Sequence, residues 1–187
     1  IDPALLHPRG IDAAMAERAL AVLRGDDGSD GPARRIAILA GAGVEHDASS
    51  AALVALAERF AIPVATTLRA KGAIPEDHPL SLGVFGYAGS RHATAAILSP
   101  DLDLLIVLGS GLNERDTMHW SSRLAPRRGM ISVNLSAKAL AVETRTGLGV
   151  VGDAGAFLGL LAEAPNAGAL EAGVADRKAW METIRSG

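Results

Sequence analysis

The sequence predicts an α/β domain in which helices cover both faces of a parallel sheet, a three-layer doubly wound fold. Short apolar segments alternate along the chain with segments of helical spacing, and several of the apolar segments are continuously hydrophobic. Continuous hydrophobicity is typical of parallel strands that are buried on both faces. The alternation of strands with helices favours βαβ units that share one sheet.

Five strands are predicted from runs of strand-forming residues that end at glycine or polar turns. The second has Pro63 near its start, where a missing N–H donor costs least. The stretch 68–87 carries several glycines and prolines and is predicted as a loop. The predicted strands are residues 35–40, 62–66, 104–108, 130–134 and 147–151.

Five helices are predicted from apolar residues at helical spacing. Ser90 is a candidate N-cap for the third helix. Residues 165–173 are predicted as a linker, and the helix after it, with Trp180 and Ile184 four apart, is expected to dock outside this chain. The predicted helices are residues 12–23, 48–61, 89–98, 154–164 and 176–184.

The composition excludes several classes of protein. The chain has 187 residues, a formal charge of −3, no cysteine and an aromatic share of 3%. Nucleic-acid binding needs a cationic face, and single-strand binding also uses aromatic stacking, so no nucleic-acid partner is expected. The apolar runs are shorter than the roughly 20 residues that span a bilayer, so no membrane partner is expected. The lack of cysteine excludes disulfides and thiolate zinc sites and suits a cytoplasmic location.

A glycine turn, Gly41-Ala42-Gly43, follows the first strand and precedes a helix. Such a turn can bring backbone N–H groups close to a pyrophosphate. The third glycine of the dinucleotide fingerprint is absent because His46 stands there, and Thr66-Thr67 end the second strand where a ribose-binding acid would lie. The turn is therefore compatible with nucleotide binding and, equally, with a purely conformational need for glycine.

A second glycine-rich loop, residues 109–117, follows the third predicted strand. Ligands of open α/β sheets bind outside the carboxyl ends of the strands, so this loop, the glycine turn, Thr67-Leu68 and residues 83–89 are expected on one rim. Arg115 is a candidate for pairing with a phosphate. The alternative is a surface ion pair of Arg115 with Glu114 or Asp116.

No catalytic or metal-binding residue is predicted. The five histidines, His7, His46, His78, His92 and His119, lack the i, i+4 spacing of a helical metal site. The sequence has neither a GxSxG elbow nor a Walker lysine motif. Glu76-Asp77-His78 lies between prolines and is interpreted as a turn.

The order of these pieces resembles the central domain of thiamine-diphosphate-dependent enzymes, the acetolactate synthase and pyruvate decarboxylase-like family. Residues 34–43 resemble its first strand and glycine turn, and residues 60–72 its G-I-P-V-x-T-T-x-x-x-K-G stretch. Residues 75–89 resemble its P-x-x-H-P loop, residues 103–109 its D-L-x-x-x-x-G strand, and residues 151–154 its closing x-G-D.

The resemblance implies a Rossmann-like domain of the DHS-like NAD/FAD-binding type, largely structural, with thiamine diphosphate and Mg²⁺ bound elsewhere in the parent enzyme. It also implies a site for FAD or ADP in this domain. Gly111 stands where the flavin-binding branch has arginine, and Asn134-Leu135-Ser136 where it has Asp-x-Asp. The positions that match its cofactor-binding residues are Gly41, Ala42, Gly43, Thr67, Leu68, Gly86, Gly109, Asn113, Arg115 and Asp153.

The resemblance further predicts the domain organisation and the partners. Residues 1–164 form the central domain, with an N-terminal linker and helix over 1–32, and residues 165–187 form a linker and helix that lead to a missing C-terminal domain. Because the chain begins with Ile1, it is expected to be a piece of a longer protein. The parent is expected to be a homodimeric or homotetrameric transferase or lyase, and this fragment to be inactive alone. The alternative is a freestanding dinucleotide-binding oxidoreductase domain.

Overall fold

The computed structural model describes residues 10–44, 47–142 and 147–187. The described residues form one parallel sheet of six strands with helices on both faces, so the predicted three-layer fold is confirmed. The helices and strands are α1 (Ala13–Arg24), β1 (Ile36–Ala40), α2 (Asp47–Phe60), β2 (Val64–Thr66), β3 (Ser81–Val84), α3 (Arg91–Ile97), β4 (Leu104–Leu108), β5 (Met130–Asn134), α4 (Ala137–Val142), β6 (Leu148–Val151), α5 (Ala154–Ala162), α6 (Ala164–Glu171) and α7 (Val174–Ser186).

The strand order is β3-β2-β1-β4-β5-β6, and every neighbouring pair is parallel. Strands β2 and β3 are added in order on one side of β1, and strands β4, β5 and β6 are added in order on its other side. The strand order therefore reverses between β1 and β4. A crevice at such a switch point is the usual ligand site of doubly wound sheets.

Alternate residues of the central strands face opposite layers of the core. Ile36 and Ile38 belong to the cluster that includes α1, α2, α5 and α6, whereas Ala37 and Leu39 belong to the cluster that includes α3 and α7. All five residues of β1 and of β4 are buried. This two-sided burial explains why these strands are continuously apolar in sequence.

Strand β3 lies inside the stretch that was predicted as a loop, and that prediction is wrong. The strand is short, forms the edge of the sheet and has a register shift against β2. Gly83 within it has a φ of +79°. A glycine inside a strand commonly marks such an irregularity, and it removes the sequence signal of a regular strand.

The segment 165–173, predicted as a linker, is largely helical, because α6 occupies Ala164–Glu171. The prediction that the last helix docks outside this chain is also wrong. Trp180, Met181 and Ile184 are buried in the same cluster as α3 and the sheet. The C-terminal helix therefore completes one layer of this domain.

The buried side chain of Arg177 fixes α7 in place. Its guanidinium donates to the carbonyl oxygens of Phe60 at 2.8 Å and Arg34 at 2.8 Å, and also to that of Leu170. Phe60 is the last residue of α2, and Leu170 lies in the last turn of α6, where helix carbonyls lack intrahelical partners. Burial lowers the pKa of Arg177 to about 10, so the group stays charged at neutral pH.

Candidate functional site

The loops after β1 and β4 touch each other backbone to backbone at the switch point. A Cβ placed on Gly43 would lie 2.7 Å from the Cα of Gly109, and one on Gly109 would lie 2.5 Å from the Cα of Gly43. A Cβ on Gly41 would lie 2.6 Å from the Cβ of Ser110. No side chain fits at these positions, and Gly109 also has a φ of +63°.

Backbone donors of the glycine turn are used within this contact. The Gly41 N–H donates to the carbonyl of Leu108 at 2.7 Å, and the Gly43 N–H donates to that of Gly109 at 3.1 Å. Ala42 is half-buried in the short helical turn Ala42–Val44. The contact between the two loops by itself accounts for the glycines, which favours the conformational interpretation of the turn.

On the β5–β6 side of this contact lies a cavity of about 60 Å³, which Gly43, Gly109, Asn134 and Asp153 help to line. The Asp153 carboxylate caps α5 by accepting from the Ala156 N–H at 3.0 Å. The Asn134 side-chain amide donates to the carbonyl of Ser110 at 3.2 Å. This space is well below the 300–1,000 Å³ of typical ligand pockets.

On the β2–β3 side, Asn113 organises the loop that follows β4. Its side-chain oxygen accepts from the N–H groups of Arg115 at 3.0 Å and Asp116 at 3.2 Å, and its amide donates to the Asp116 carboxylate at 2.8 Å. Such a turn fixes the backbone and so sets the directions of the side chains that follow.

The Arg115 guanidinium lies over the ring of Tyr87, 5.6 Å from its centroid. Glu114 instead bonds to His119 at 2.8 Å, and Asp116 is bound by Asn113. The alternative of an Arg115 ion pair with Glu114 or Asp116 is therefore not what the structure shows. An arginine stacked on an aromatic ring keeps its N–H donors available for an anion.

Tyr87 and Arg115 also line a groove of about 530 Å³, with Gly86, Glu114, Met118 and His119 among the other lining residues. Gly86 has a φ of +97°, and a Cβ there would lie 2.3 Å from the carbonyl oxygen of Arg115. The Tyr87 N–H donates to that same oxygen at 2.9 Å. The loops after β3 and β4 are thus joined through their backbones beneath the groove.

A smaller cavity of about 120 Å³ adjoins Tyr87 and Arg115, and Leu68, Arg69 and Asp116 help to line it. Burial raises the pKa of Asp116, and this effect outweighs the Ser110 hydroxyl and the Arg69 charge, which both lower it. The cavity thus has two arginines and one carboxyl at its wall.

Thr67 and Leu68, the remaining predicted site residues, differ in exposure. Thr67 is buried, and its N–H donates to the carbonyl of Ala40 at 2.8 Å. Leu68 is 49% exposed. The ten predicted positions therefore all lie at the carboxyl edge of the sheet. Some of them form the contact between the two glycine loops, and the others lie on one side of that contact or the other.

The described part of the chain brings together no group of three or more histidine, cysteine, aspartate or glutamate side chains that could hold a metal ion. His78 contacts Glu58 at 3.2 Å, and His119 contacts Glu114. The Nε2 atom of His92 is buried without a hydrogen-bond partner among the described residues. His7 and His46 lie outside the described residues.

Comparison with known proteins decides the family. Residues 32–161 match the family described as "Thiamine pyrophosphate enzyme, central domain". The chain belongs to this family. The resemblance that the strand-end motifs indicated is thereby confirmed, and this central domain carries the rim described above.

Relatives with assigned activities match this central domain over most of its length. The "Probable acetolactate synthase large subunit" of Methanocaldococcus jannaschii is 37% identical over 150 residues, which are 80% of this chain and 24% of the relative. The sulfoacetaldehyde acetyltransferase of Rhodobacter capsulatus is 34% identical over 182 residues, 94% of this chain and 28% of the relative. The chain therefore spans about a quarter of the length of the curated relatives it matches.

A solved structure shows the same fold. An X-ray structure of a protein from Mycobacterium smegmatis, described as thiamin diphosphate-dependent, superposes with a TM-score of 0.57 and 23% identity. The match covers 81% of this central domain and 27% of the solved chain.

Sequence reasoning placed Tyr87 and Asp116 in segments expected on the rim, but it named neither of them, nor Arg69, as a site residue. Tyr87 is the only tyrosine of the chain and stands in a glycine-rich loop, which was the one available signal. Arg69 and Asp116 approach each other only because β2 and β4 both flank β1, and the order of strands in a sheet is not written in local sequence.

The described residues hold no helix that is long and apolar enough to cross a membrane.

Proposed function

We propose that this chain is the central domain of a thiamine diphosphate-dependent 2-keto acid decarboxylase or carboligase related to acetolactate synthase. Thiamine diphosphate supplies stabilisation of a carbanion when it is bound. In this proposal, that cofactor and Mg²⁺ are held by N- and C-terminal domains outside this chain, and residues 165–187 lead to the C-terminal one. The family match and the names of the relatives support the assignment to this class of enzyme. We also propose that the parent is a cytoplasmic homodimer or homotetramer.

The observation that carries the proposal is that the acidic side chains at the rim are already hydrogen-bonded within the domain. Asp153 caps a helix, Asp116 is bound by Asn113, and Glu114 is bound by His119. Glu114 and His119 help to line the groove, but among the described residues its lining includes no serine, threonine, cysteine or lysine nucleophile of the kind that acyl transfer needs. The domain therefore contributes packing and subunit geometry to the parent enzyme.

The test is an assay of the purified chain with pyruvate, thiamine diphosphate and Mg²⁺. We expect no carbon dioxide release above the rate without protein. The full-length polypeptide that contains this domain serves as the positive control. Release by the 187-residue chain alone would show that it carries catalytic groups and would overturn the proposal.

We further propose that the rim binds FAD or ADP. The stacked pair Arg115–Tyr87 supports this, because a guanidinium binds phosphate and an exposed ring can pack against a planar base or flavin. The groove of about 530 Å³ beside them has the volume of a typical ligand site. Leu68 and Asn113 would lie against the same ligand, with Gly43 and Asp153 towards its other end.

Calorimetric titration of the chain with FAD, ADP, NAD and NADP tests this part. We expect binding of FAD or ADP that weakens about tenfold in Arg115→Gln, the value of one charge-assisted phosphate contact. Arg123→Gln is the matched control, because Arg123 is an exposed arginine later in the same loop. Titrations that show no heat with FAD and ADP would overturn the nucleotide proposal and leave the structural role intact.

The alternative of a freestanding nicotinamide oxidoreductase has less support. Strand β2 ends at Thr66 and is followed by the buried Thr67. Dinucleotide sites of that kind commonly place a carboxylate at this strand end to bind the ribose. The same titrations test the alternative, since it requires tight binding of NAD or NADP.

A further inference from the structure

The small cavity beside Tyr87 and Arg115 has one carboxyl group among its charged residues. The cavity has a volume of about 120 Å³, and Arg69, Arg115 and Asp116 are the charged residues that line it. Sites for whole ligands have volumes of about 300–1,000 Å³, so this space can take only a small part of a nucleotide. We name it the Asp116 cavity.

The Asp116 carboxylate is anchored through one of its two oxygens. Its Oδ2 accepts from the Asn113 side-chain amide at 2.8 Å and from the Ser110 hydroxyl at 3.4 Å. The Asn113 side-chain oxygen in turn accepts from the Asp116 N–H at 3.2 Å, which fixes the backbone as well. Within the described part of the chain, Oδ1 has no such donor. A carboxylate accepts through both oxygens, so Oδ1 remains available to a ligand.

The surroundings of this carboxylate supply few donors. Burial raises the pKa of Asp116 more than the Ser110 hydroxyl and the Arg69 charge lower it. Arg69 acts on the carboxylate through its charge, and the Arg115 guanidinium lies over the Tyr87 ring. A ligand that donates a hydrogen bond to a carboxylate of this kind gains binding free energy, because it satisfies a partly buried acceptor.

The arrangement favours a hydroxyl group over a phosphate in the Asp116 cavity. Two arginines alone would suit a phosphate, but here its negative charge would face the Asp116 carboxylate at close range. A hydroxyl both donates and accepts. It can therefore donate to Asp116 Oδ1 and accept from the Arg69 guanidinium.

Covalent connectivity points to the same part of the ligand. Tyr87 and Arg115 both line the Asp116 cavity, and they are the proposed partners of the base or flavin and of the phosphate. In a nucleotide, the sugar links these two parts and carries the hydroxyl groups. A nucleotide that spans from Tyr87 to Arg115 thus brings its sugar to the cavity that the two residues share.

We propose that Asp116 binds the sugar hydroxyls of the nucleotide, with Arg69 as the second partner. This inference rests on the proposed function, because it takes a nucleotide to be bound at the rim. The sugar is the ribose where adenine lies on Tyr87, and the ribityl chain where a flavin does. The loop after β4 thereby supplies the carboxylate that the end of β2 lacks, where Thr66 and Thr67 stand.

Nucleotides that lack single hydroxyls test the proposal by calorimetric titration of the 187-residue chain. ADP is compared with 2′-deoxy-ADP and 3′-deoxy-ADP, and FAD with an FAD whose ribityl chain lacks its 2′-hydroxyl. Each is titrated into the wild type, Asp116→Asn and Asp77→Asn. Asp77→Asn is the matched control, because Asp77 is exposed in the loop that precedes β3, away from the cavity. Thermal unfolding verifies that each variant is folded.

We expect the wild type to bind a deoxy analogue about tenfold more weakly than the unmodified nucleotide, the value of one hydrogen bond to a charged acceptor. A difference with the ADP analogues assigns the ribose to the cavity, and a difference with the FAD analogue assigns the ribityl chain. In Asp116→Asn the analogue and the unmodified nucleotide should bind within about twofold of each other, because the charged acceptor is gone. Asp77→Asn should discriminate as the wild type does.

Three results would overturn the inference. Equal binding of every deoxy analogue and its unmodified nucleotide by the wild type would refute the sugar contact and leave the nucleotide proposal standing. Discrimination that persists in Asp116→Asn, or is lost equally in Asp77→Asn, would show that Asp116 does not read the sugar. The absence of heat with both ADP and FAD would refute the nucleotide proposal and this inference together.

Discussion

The Nε of Arg177 donates to the carbonyl oxygen of Phe60 over 2.8 Å, which joins the C-terminal helix α7 to the end of α2. The two residues are 117 positions apart in sequence. With Arg34 and Leu170 as its other acceptors, one guanidinium satisfies carbonyls from three separate segments. Gly173 makes room for it, because a Cβ there would lie 2.3 Å from a guanidinium nitrogen.

We expect Arg177→Met to lower the free energy of unfolding by about 3 kcal/mol or more, because several buried carbonyls lose their donor. Urea unfolding followed by circular dichroism measures the change. Lys178→Met is the matched control, since Lys178 is the exposed neighbour on the same helix, and it should cost less than about 0.5 kcal/mol. Similar losses in both variants would contradict the capping role.

Gly109→Ala should destabilise the domain by about 2–4 kcal/mol for two reasons. Alanine is strained at the left-handed φ of this position, and its Cβ would clash with the Gly43 backbone. Gly111→Ala provides the comparison, because a Cβ at Gly111 meets nothing within 4 Å. Thermal unfolding of the two variants gives the difference. A Gly109→Ala protein as stable as Gly111→Ala would mean that the loops do not touch in solution.

Asp103 precedes β4, and its carboxylate accepts from the N–H groups of Arg34 at 3.1 Å and Arg35 at 2.9 Å, directly before β1. Asp103→Ala should therefore cost about 2 kcal/mol, because two backbone donors, one of them partly buried, lose a charged acceptor. Asp101→Ala removes a carboxylate that is 52% exposed and paired only at the surface, and should cost less than about 1 kcal/mol. The denaturant midpoints of both variants, compared at the same dependence of unfolding free energy on denaturant, measure the two losses. Equal losses in the two variants would contradict the role of Asp103.

Asp116 should make stability depend on pH. Burial raises its pKa in the folded protein above the ordinary value of 3.8, so the native state binds the proton more tightly than the unfolded chain. Its contribution is fully present below the ordinary pKa and is lost as pH rises through the raised one. The melting temperature of the wild type relative to Asp116→Asn should thus fall between about pH 4 and neutrality. If the relative melting temperature rises over this range, hydrogen bonds to the Asp116 carboxylate lower its pKa more than burial raises it.

The central part of the fold could be predicted because its sequence signals are local. Strands β4 and β5 match their predicted bounds, and β1 begins one residue later than predicted, since continuous apolar runs ended by turn residues leave little ambiguity. Ser90 caps α3 as expected, accepting from the Ala93 N–H at 3.0 Å. These features depend on near neighbours in the chain.

The missed features depend on tertiary contacts. Helix α6 contains Pro165 and Gly168, which by composition indicate a linker, and it forms against α1 and α5. The role of Arg177 could not be read from sequence, where an arginine in an amphipathic helix indicates an exposed position. The segments predicted to form the rim lie at the carboxyl ends of the strands, as expected, but which of their residues meet depends on the order of the strands in the sheet.

The contact between Gly43 and Gly109 leaves the centre of the rim without a side chain. The side chains of the rim stand on its flanks, at positions such as Leu68, Tyr87, Asn113 and Asn134. Substitutions that probe the proposed nucleotide site should accordingly target those flanking positions and leave the two glycines unchanged.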